Sequence, residues 1–367
     1  MTRVSKDRHG SNSEATVTDA GCRSAVTAQP AETSRFGTLA RNRNRWGVIL
    51  AGGDGVRLQP LTRFICGDDR PKQFCPLFDG RTLLEQTLQR CELNVPRERL
   101  LVSLTSHHRQ WYSQQAGLCP AQRIVQPANK GTAPAILHSL LSVARLDVHA
   151  LVAILPCDHH VADEARFASA LECAFGAAAE RADSVVLLGA RPDCAEVEYG
   201  WIQLGEPVGD EGSELFRVRG FQEKAVIDVA QQLFEQGSVW NTFVMVGTVQ
   251  AFLQIVQTAL TDLLAAIGSA RLWAGKEVRI EESLYKHVPS INFSRSVLST
   301  ETDNLTVLRL AAVGWSDLGD PGRAVKAVRD RGCKATWIQK WGLTHSVPSK
   351  RQLYSQGSNV YGPDSVS

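Results

Sequence analysis

A glycine-rich segment early in the apolar part of the sequence is suited to binding phosphate. It is Gly52-Gly53-Asp54-Gly55-Val56-Arg57, directly after a short apolar run. Glycines let the backbone turn sharply and approach a ligand closely, so that successive N–H groups can point at phosphate oxygens. Arg57 adds a fixed fork of donors for the same oxygens. A plain tight turn is the alternative, because the segment matches neither the dinucleotide-binding fingerprint nor the P-loop.

Two aspartates are candidates for holding a divalent ion. Asp158 ends an apolar run, and Asp317 lies in the segment Gly314-Trp315-Ser316-Asp317-Leu318-Gly319. Mg²⁺ usually takes one or two protein carboxylates and completes its shell with phosphate and water. In isolation Asp317 is better explained as a turn residue beside glycine. His159 and His160 follow Asp158, but two neighbouring histidines without further spaced ligands make a poor zinc site, which favours ordinary loop histidines.

A lysine about 20 residues beyond the glycine-rich turn is a further candidate. Lys72 follows Pro71, which stiffens the loop. Lys72 can place a point charge on a phosphoryl group that is being transferred. Taken alone, however, it is more simply explained as a solvated surface lysine.

The elements that must position these residues alternate between strands and helices. Short apolar runs predict the strands, and apolar residues at helical spacing predict the helices. The predicted strands are 46–51, 99–105, 150–155 and 184–189, and the helices between them are 82–91, 131–144 and 164–181. This alternation implies an α/β fold with an open, Rossmann-like, mostly parallel sheet flanked by helices. Ligands bind such sheets at the carboxyl ends of the strands.

The later part of the chain departs from this alternation. Short extended segments punctuated by glycine predict a small antiparallel excursion at 199–220. The elements predicted after it are a helix at 225–236, a Trp-rich extended run at 239–247, one long helix at 249–268 and a strand-like piece at 305–313. Residues 1–45 are polar and lack apolar periodicity, which predicts a disordered leader. We therefore expect one domain over 46–333 and a polar C-terminal tail over 334–367.

The composition argues against several functional classes. Lys plus Arg number 40 and Asp plus Glu number 38, so the net charge of +2 gives no electrostatic basis for coating nucleic acid. The nine cysteines form no close CxxC pair, which favours reduced thiols in the cytoplasm over disulfides or zinc. No uncharged apolar run approaches the roughly 20 residues of a membrane span, and residues 1–45 lack a secretory signal. We expect a cytoplasmic protein with no nucleic-acid or membrane partner; a homo-oligomer is compatible with the sequence.

Taken together, these motifs resemble a known family. The glycine-rich turn with Arg57, followed by Pro71-Lys72, is similar to the two-part signature of the sugar-1-phosphate nucleotidyltransferases. The segment Gln126-Pro127-Ala128-Asn129-Lys130-Gly131-Thr132-Ala133-Pro134-Ala135 resembles the base-holding segment of the mannose-1-phosphate guanylyltransferase branch, although a capped helix start would explain part of it. Residues 314–319 resemble the family's WxDxG signature. The likeness extends through most of residues 46–330.

The resemblance implies a role for each candidate residue. It implies a Mg²⁺ cofactor on Asp158 and Asp317, and catalytic roles for Arg57, Lys72 and Asp158. The residues that it places against the nucleotide are Gly52, Gly53, Gly55, Arg57, Gln126 and Gly131. The residues that it places against the sugar phosphate are Gly200, Glu223, Lys224 and Asn241. Without this resemblance, Glu223 and Lys224 would be an exposed pair of neighbouring charged residues that indicates no function.

By this resemblance the chain joins a nucleoside triphosphate, with GTP the first choice, to a sugar 1-phosphate, with mannose 1-phosphate the first choice. Two alternatives stay open. One is a catalytically silent subunit on the same fold that senses sugar nucleotides or serves assembly. The other is a glycosyltransferase with a sugar-nucleotide donor, although such enzymes usually carry a D-x-D metal motif. The positions at which the chain departs from the family pattern, and which weaken the choice of base and sugar, are Val56, Gln59, Ala225 and Phe243.

Overall fold

The computed structural model describes residues 44–344, except for 79, 116–118, 120–121, 270, 275–276 and 334. The predicted leader, 1–45, lies outside the described residues apart from its last two positions. Of these, Arg45 already belongs to the first strand.

The described residues contain one sheet of eleven strands. These are β1 (Arg45–Leu50), β2 (Leu100–Thr105), β3 (Arg123–Gln126), β4 (Leu151–Pro156), β5 (Val185–Ala190), β6 (Gly200–Pro207), β7 (Leu215–Glu223), β8 (Val239–Thr248), β9 (Arg271–Ala274), β10 (Glu277–Ile280) and β11 (Leu305–Arg309). Across the sheet they follow the order β5, β11, β7, β6, β8, β4, β1, β2, β3, β10, β9. An additional pairing between β5 and β8 folds one end of the sheet back on itself.

The centre of the sheet is parallel. β1 lies between β2 and β4 and pairs in parallel with both, and β2 pairs in parallel with β3. β1, β2 and β4 are covered on both faces, which explains why they are largely apolar rather than alternating. Because they run in one direction, their carboxyl ends meet at one edge of the sheet. The candidate residues that end or follow these strands there are Gly52, Gln126 and Asp158.

Strands β6, β7 and β8 form an antiparallel region beside this parallel centre. β8 pairs antiparallel with β4, β6 pairs antiparallel with β7 and β8, and β7 pairs antiparallel with β11. The predicted fold class, a Rossmann-like open sheet with a largely parallel centre and an antiparallel excursion, is confirmed. The antiparallel region is larger than the predicted excursion because β8, the Trp-rich run, belongs to it.

Helices pack on both faces of the sheet. They are α1 (Gln59–Cys66), α2 (Leu83–Glu92), α3 (Arg109–Tyr112), α4 (Thr132–Leu146), α5 (Glu164–Glu180), α6 (Ile227–Glu235), α7 (Val249–Ala259), α8 (Thr261–Ser269), α9 (Glu282–Tyr285), α10 (Pro321–Asp330) and α11 (Thr336–Thr344). Val48 belongs to a core shared with α4 and α7, whereas its neighbour Ile49 belongs to a second core shared with α2 and α5. Successive strand residues point to opposite faces, so β1 contributes to both cores.

Polar side chains fix where two of these helices begin. At α2 the Glu85 amide donates to the Thr82 hydroxyl (3.2 Å), and the Thr82 amide donates to the Glu85 carboxylate (2.8 Å). This capping box satisfies two amides that a helix start leaves without partners. At α5 the Asp163 carboxylate accepts from the Arg166 amide (2.9 Å). Asp163 therefore caps the helix that follows the loop of Asp158.

The prediction of one helix over 249–268 is wrong. The chain bends by 117° between α7 and α8. Leu260, between them, has an extended φ of −142°. Ile255 of α7 and Ile267 of α8, on either side of the bend, are both buried in the same core. No single helix in the described part of the chain is long and apolar enough to cross a membrane; α7 and α8 reach that length and composition only as a bent pair.

Ordered structure also extends beyond the predicted domain boundary at residue 333. Helix α11 lies within the predicted polar tail, and its Trp337 and Trp341 are buried. Trp337 donates to the Leu77 carbonyl (3.3 Å), and the Trp341 ring meets Phe64 edge to face. Two buried indoles provide enough apolar burial to order this segment. Residues 345–367 of the predicted tail lie outside the described residues.

Candidate active site

Hydrogen bonds from a buried glutamine hold the glycine-rich turn in place at the edge of the sheet. Gln73, which is 2% exposed, donates to the carbonyls of Ala51 (3.0 Å) and Gly53 (2.7 Å). Gly55 has a left-handed φ of 61°, and a Cβ there would lie 3.2 Å from the Lys72 amide nitrogen. The turn is therefore packed directly against the Pro71-Lys72 segment. Gln73 was missed by the sequence analysis, since nothing in its type or spacing distinguishes it from a surface glutamine.

Lys72 contacts both predicted metal ligands, the side chain of one and the backbone of the other. Its ammonium lies 3.1 Å from the Asp158 carboxylate and donates to the carbonyls of Asp317 (3.0 Å) and Leu318 (3.2 Å). With an exposure of 9%, Lys72 is not the solvated surface lysine that its residue type alone suggests. The structure thus brings Lys72, Asp158 and Asp317 together, although they come from three distant parts of the chain.

Asp317 is oriented by a separate set of donors. Its Oδ1 atom accepts from the Tyr199 hydroxyl (3.0 Å), the Arg323 guanidinium (2.9 Å) and the Gly319 amide (2.9 Å). A Cβ on Gly319 would lie 2.6 Å from Oδ2 of Asp317. Glycine is therefore needed in this motif to leave room for the second carboxylate oxygen. Tyr199 and Arg323 were also missed from the sequence.

A short backbone pairing fixes the two aspartate motifs to each other. The His160 amide donates to the Ser316 carbonyl (2.8 Å), and the Ser316 amide donates to the His160 carbonyl (3.0 Å). Asp158 lies two residues before this bridge and Asp317 one residue after it. The backbone therefore holds the Asp158 and Asp317 segments side by side, and their sharing of a metal ion stays a prediction.

Both carboxyl groups are held ionised. Burial by itself raises the pKa of Asp158, but Lys72 and His159 outweigh it and hold that pKa below its ordinary value. Burial likewise opposes ionisation of Asp317, and Arg323, His159 and Lys72 hold its pKa below the ordinary value. Asp158 and Asp317 thus stay charged beside the cations Lys72 and Arg323, and ionised carboxylates are the ligands that Mg²⁺ takes from proteins.

The two histidines beside Asp158 have structural partners. His159 Nδ1 accepts from the Trp315 indole (3.2 Å), and burial lowers the pKa of His159. The His160 ring stacks on Phe78 with 4.7 Å between ring centroids. These contacts agree with the interpretation of both as ordinary loop histidines.

Arg57 lies at the same edge but has a different partner. Its guanidinium contacts the Glu198 carboxylate at 2.6 Å, and the Lys224 ammonium lies 4.0 Å from the same carboxylate. Glu198 precedes Tyr199, whose hydroxyl donates to Asp317. Arg57 is therefore connected to the aspartates through this segment rather than by direct contact with Asp158. Its side chain is 58% exposed, which leaves it accessible to a ligand.

The predicted sugar-binding residues lie together. Gly200 of β6 pairs with Glu223 of β7. A Cβ on Gly200 would lie 2.9 Å from Glu223 Oε2 and 3.3 Å from the Asn241 Cβ, so the glycine is required by this close approach. Burial raises the pKa of Glu223 above its ordinary value, against the opposing effects of Lys224 and Arg295. Gly200, Glu223 and Asn241 therefore lie next to one another, and Lys224 directly follows Glu223 in the chain.

One of the predicted base-holding residues, Gln126, lies beside the glycine-rich turn. Gln126 is buried, and its side-chain carbonyl accepts from the Tyr285 hydroxyl (2.7 Å). A Cβ on Gly52 would lie 3.7 Å from the Gln126 amide nitrogen. Gly131 has a left-handed φ of 83°, and a Cβ there would lie 2.5 Å from the Ile291 carbonyl oxygen. Gln126 thus packs beneath the turn, and direct contact of Gln126 or Gly131 with a base stays a prediction.

Comparison with known proteins identifies the family. The family described as nucleotidyl transferase matches residues 46–330. The chain belongs to the nucleotidyl transferase family. The predicted resemblance to sugar-1-phosphate nucleotidyltransferases is therefore confirmed.

Relatives of this nucleotidyl transferase include two curated bacterial proteins. Mannose-1-phosphate guanylyltransferase ManC of Salmonella typhimurium is 30% identical over 292 residues, which cover 77% of this chain and 59% of the relative. A mannose-1-phosphate guanylyltransferase of Escherichia coli is 31% identical over 283 residues, which cover 74% of this chain and 57% of the relative. The chain thus spans about three fifths of the length of these curated relatives.

A solved structure shares the fold of this nucleotidyl transferase. It is a Thermus thermophilus protein described as a mannose-1-phosphate geranyltransferase, with 30% identity and a TM-score of 0.66. The match covers 77% of this chain and 79% of that one.

The nucleotidyl transferase keeps a glycine-like backbone at one departure from the family pattern. Phe243 stands where the pattern has glycine, and its φ of 58° lies in the left-handed region. A bulky residue rarely adopts this conformation, so the surrounding structure must enforce it. Asn241 contributes by accepting a hydrogen bond from the Phe243 amide (2.9 Å).

Gly55→Ala is expected to lower the free energy of unfolding of this nucleotidyl transferase by about 1–2 kcal/mol. The alanine would be forced into the left-handed region and pressed against the Lys72 backbone. Urea denaturation measures the change. Gly53→Ala is the matched control, because a Cβ there meets nothing within 4 Å and φ lies outside the left-handed region. Equal destabilisation by both substitutions would refute the special requirement for glycine at residue 55.

Proposed function

We propose that this chain is a magnesium-dependent nucleotidyltransferase that joins GTP to mannose 1-phosphate and releases pyrophosphate. The observation that carries the proposal is the contact of Lys72 with both Asp158 and the backbone of Asp317. It gathers a cation and two carboxylates at the sheet edge where the glycine-rich turn opens, which is where open α/β sheets bind ligands. The choice of GTP and mannose is supported by the names of the curated relatives.

In the proposed reaction, a phosphate oxygen of the sugar 1-phosphate attacks the α-phosphorus of the triphosphate. A new P–O bond forms, and the bond between the α-phosphorus and the oxygen that bridges to the β-phosphate breaks. Pyrophosphate leaves with the electron pair of that bond. Such transfers depend on alignment and neutralisation of charge rather than on covalent help from the protein.

Each basic residue has a place in this reaction. The amides of the glycine-rich turn bind the triphosphate, and Arg57 steadies the departing pyrophosphate. Arg57 exchanges Glu198 for the more highly charged phosphate when the nucleotide binds. Lys72 and Lys224 hold the attacking phosphate. These roles require no movement of the sheet. The glycine-rich turn already packs against the Lys72 segment, and Arg57 and Lys224 already lie near the same residue, Glu198.

The carboxylates present fit a magnesium ion. All three hydrogen bonds to Asp317 go to Oδ1, and Gly319 leaves space around Oδ2, so this oxygen is available to a cation. Asp158 supplies the second carboxylate. Mg²⁺ bound there would neutralise charge on the phosphates, and its remaining ligands would be phosphate oxygens and water.

Two other functions fit less well. A silent sensing or assembly subunit would have no need to keep Lys72 paired with Asp158 in a nearly buried position. A glycosyltransferase would share the sheet and the metal, but the loop after β4 contains Asp158-His159-His160 rather than a D-x-D motif. Cytoplasmic location and homo-oligomeric assembly remain predictions from the sequence.

A matrix of nucleoside triphosphates against sugar 1-phosphates, scored by pyrophosphate release with and without Mg²⁺, tests the proposal. We expect release only with Mg²⁺, and most with GTP and mannose 1-phosphate. Radiolabelled pyrophosphate should exchange into the triphosphate only when the sugar nucleotide is present. Binding of the sugar nucleotide without release or exchange would instead identify a silent subunit.

Glu223→Gln is expected to raise KM for the sugar 1-phosphate by about 10- to 100-fold, since a hydrogen bond to a charged group contributes roughly 1.5–3 kcal/mol. In the wild type, KM should also rise as pH falls through the raised pKa of Glu223, because protonation removes the accepting carboxylate. The glutamine variant should lack this rise. Initial-rate kinetics against pH measure both effects. Glu206→Gln, on an exposed part of β6, is the control and should leave KM unchanged.

A further inference from the structure

An aspartate in the glycine-rich turn faces two histidines that follow β2. Asp54 Oδ1 lies 2.8 Å from His107 Nε2 and 3.1 Å from His108 Nε2. One possible metal-ligating atom from each of the three residues lies within 4.8 Å of the other two. The cluster contains none of the residues assigned to the predicted magnesium site.

Neighbouring side chains hold the cluster in this orientation. Thr105 Oγ1 lies 2.8 Å from His108 Nδ1, and the Asn129 amide donates to Asp54 Oδ2 (3.0 Å). The second ring nitrogen and the second carboxylate oxygen are thus engaged, which leaves His108 Nε2 and Asp54 Oδ1 aimed at each other. Metal sites in proteins commonly fix their histidine and carboxylate ligands by such outer contacts.

The protonation of these groups suits a cation. Burial lowers the pKa of His108 to about 4, so its ring is neutral near pH 7. The Thr105 hydroxyl lies 3.4 Å from the Gly52 carbonyl, to which it donates. In the tautomer that carries its proton on Nδ1, the Thr105 oxygen accepts that proton and Nε2 presents a lone pair toward Asp54 Oδ1. In the other tautomer Nε2–H donates to Asp54 Oδ1; a cation between the two atoms would select the first tautomer.

We propose that Asp54, His107 and His108 form a binding site for a divalent transition-metal ion. Imidazole nitrogens suit Zn²⁺ and Co²⁺, whereas Mg²⁺ prefers oxygen ligands, so the site differs in kind from the pair Asp158 and Asp317. Three protein ligands leave at least one coordination position open. His107 is 49% exposed and Asp54 40%, so this position faces solvent and accepts water or a phosphate oxygen.

One ligand of the proposed site, Asp54, lies inside the glycine-rich turn that is predicted to bind phosphate. Asp54 stands between Gly53 and Gly55, and Asn129 belongs to the predicted base-holding segment. A bound ion would therefore replace the negative charge of Asp54 by a positive one at the place where polyphosphate is expected. Metal binding itself does not depend on the proposed function, and its test needs no substrate.

Titration of the untagged, full-length protein with Co²⁺ in excess Mg²⁺ tests the site. Excess Mg²⁺ occupies carboxylate sites, and Co²⁺ on imidazole ligands gives visible ligand-field absorption. We expect one such Co²⁺ per chain, displaced by Zn²⁺. Asp54→Ser and His107→Ala should each weaken Co²⁺ binding by at least about tenfold, and Asn129→Ala by about tenfold, as removal of an outer contact does.

His149→Ala and His287→Ala are the controls, since both histidines are exposed and lie outside the cluster. They should leave Co²⁺ binding unchanged, and circular dichroism should show that every variant is folded. Absence of ligand-field absorption in the wild type would overturn the proposal. So would absorption that Asp54→Ser and His107→Ala leave unchanged; the cluster would then be only a hydrogen-bond network that stiffens the turn.

Discussion

Replacing Asp158 by asparagine is expected to lower turnover by about two to three orders of magnitude, the loss seen when a charge-stabilising contact is removed from a transition state. Asparagine keeps the size of the side chain but removes the charge that pairs with Lys72 at 3.1 Å and would bind Mg²⁺. Because the pKa of Asp158 lies below its ordinary value, the wild-type carboxylate is fully charged at neutral pH. Pyrophosphate release with GTP, mannose 1-phosphate and a Mg²⁺ titration measures the effect.

Asp163→Asn is the matched control for this substitution. Asp163 lies five residues further along the same loop, where it caps α5 through the Arg166 amide. Asparagine caps helices as well as aspartate does, so stability and turnover should both stay near those of the wild type. A folded Asp158→Asn variant with turnover close to that of the wild type would remove Asp158 from the catalytic centre.

Much of the fold could be predicted from the sequence because the centre of the sheet is covered on both faces. The central strands β1, β2 and β4, and the buried β5 at one end of the strand order, are mostly apolar, and each was predicted to within one residue at either end. Strand β3 was missed because its four residues include only two apolar ones, Ile124 and Val125, too few for any periodicity. Helix α10 was missed although Asp320-Pro321 is a helix-start signal, with Asp320 capping the Gly322 amide at 2.8 Å.

Residues of the candidate site could be predicted from the sequence where only one residue type serves, either because a carboxylate is needed for a cation or because only glycine fits against neighbouring atoms. Gly55, Gly200, Asp158 and Asp317 are of this kind. The residues that support them were not predictable, because their roles come from partners far along the chain. Arg323, for example, is an ordinary helix arginine in the sequence, yet in the fold it contacts Glu196 at 2.8 Å and Asp317 at 2.9 Å.

The side chain of Arg57 illustrates the limit of motif reasoning. Its motif predicts phosphate binding, but the structure pairs it with Glu198, which lies two residues before Gly200 of the predicted sugar-binding set. A sequence motif gives the chemical capacity of a side chain. It does not give the partner that the side chain has before a ligand arrives, because that partner depends on how β6 is placed beside the turn.

Lys72→Met is expected to lower turnover by about two to three orders of magnitude and also to destabilise the fold. Methionine fills a similar space but leaves the Asp158 carboxylate and the carbonyls of Asp317 and Leu318 without their donor. Removal of one partner from a buried ion pair commonly costs about 3–5 kcal/mol, and the partial exposure of Asp158 places the expected loss of stability below that range. Urea denaturation and steady-state kinetics measure the two effects separately.

The double variant Lys72→Met/Asp158→Asn distinguishes a joint role from two independent ones. If the two side chains act as a unit, the double variant should lose no more than about tenfold beyond the worse single variant, since residues that act together are strongly non-additive. It should also be more stable than Lys72→Met alone, because a neutral asparagine needs no cation.

The exposed pair Lys326 and Asp330 on α10 allows the same cycle to be made with the same substitutions. There the turnover should not change, and the coupling in stability should stay below about 0.5 kcal/mol, as for other exposed pairs one helical turn apart. If the loss of turnover in the Lys72→Met/Asp158→Asn variant equals the product of the losses in the two single variants, each residue contributes independently. Lys72 would then bind phosphate without organising Asp158, and the ion pair would be a feature only of the ligand-free protein.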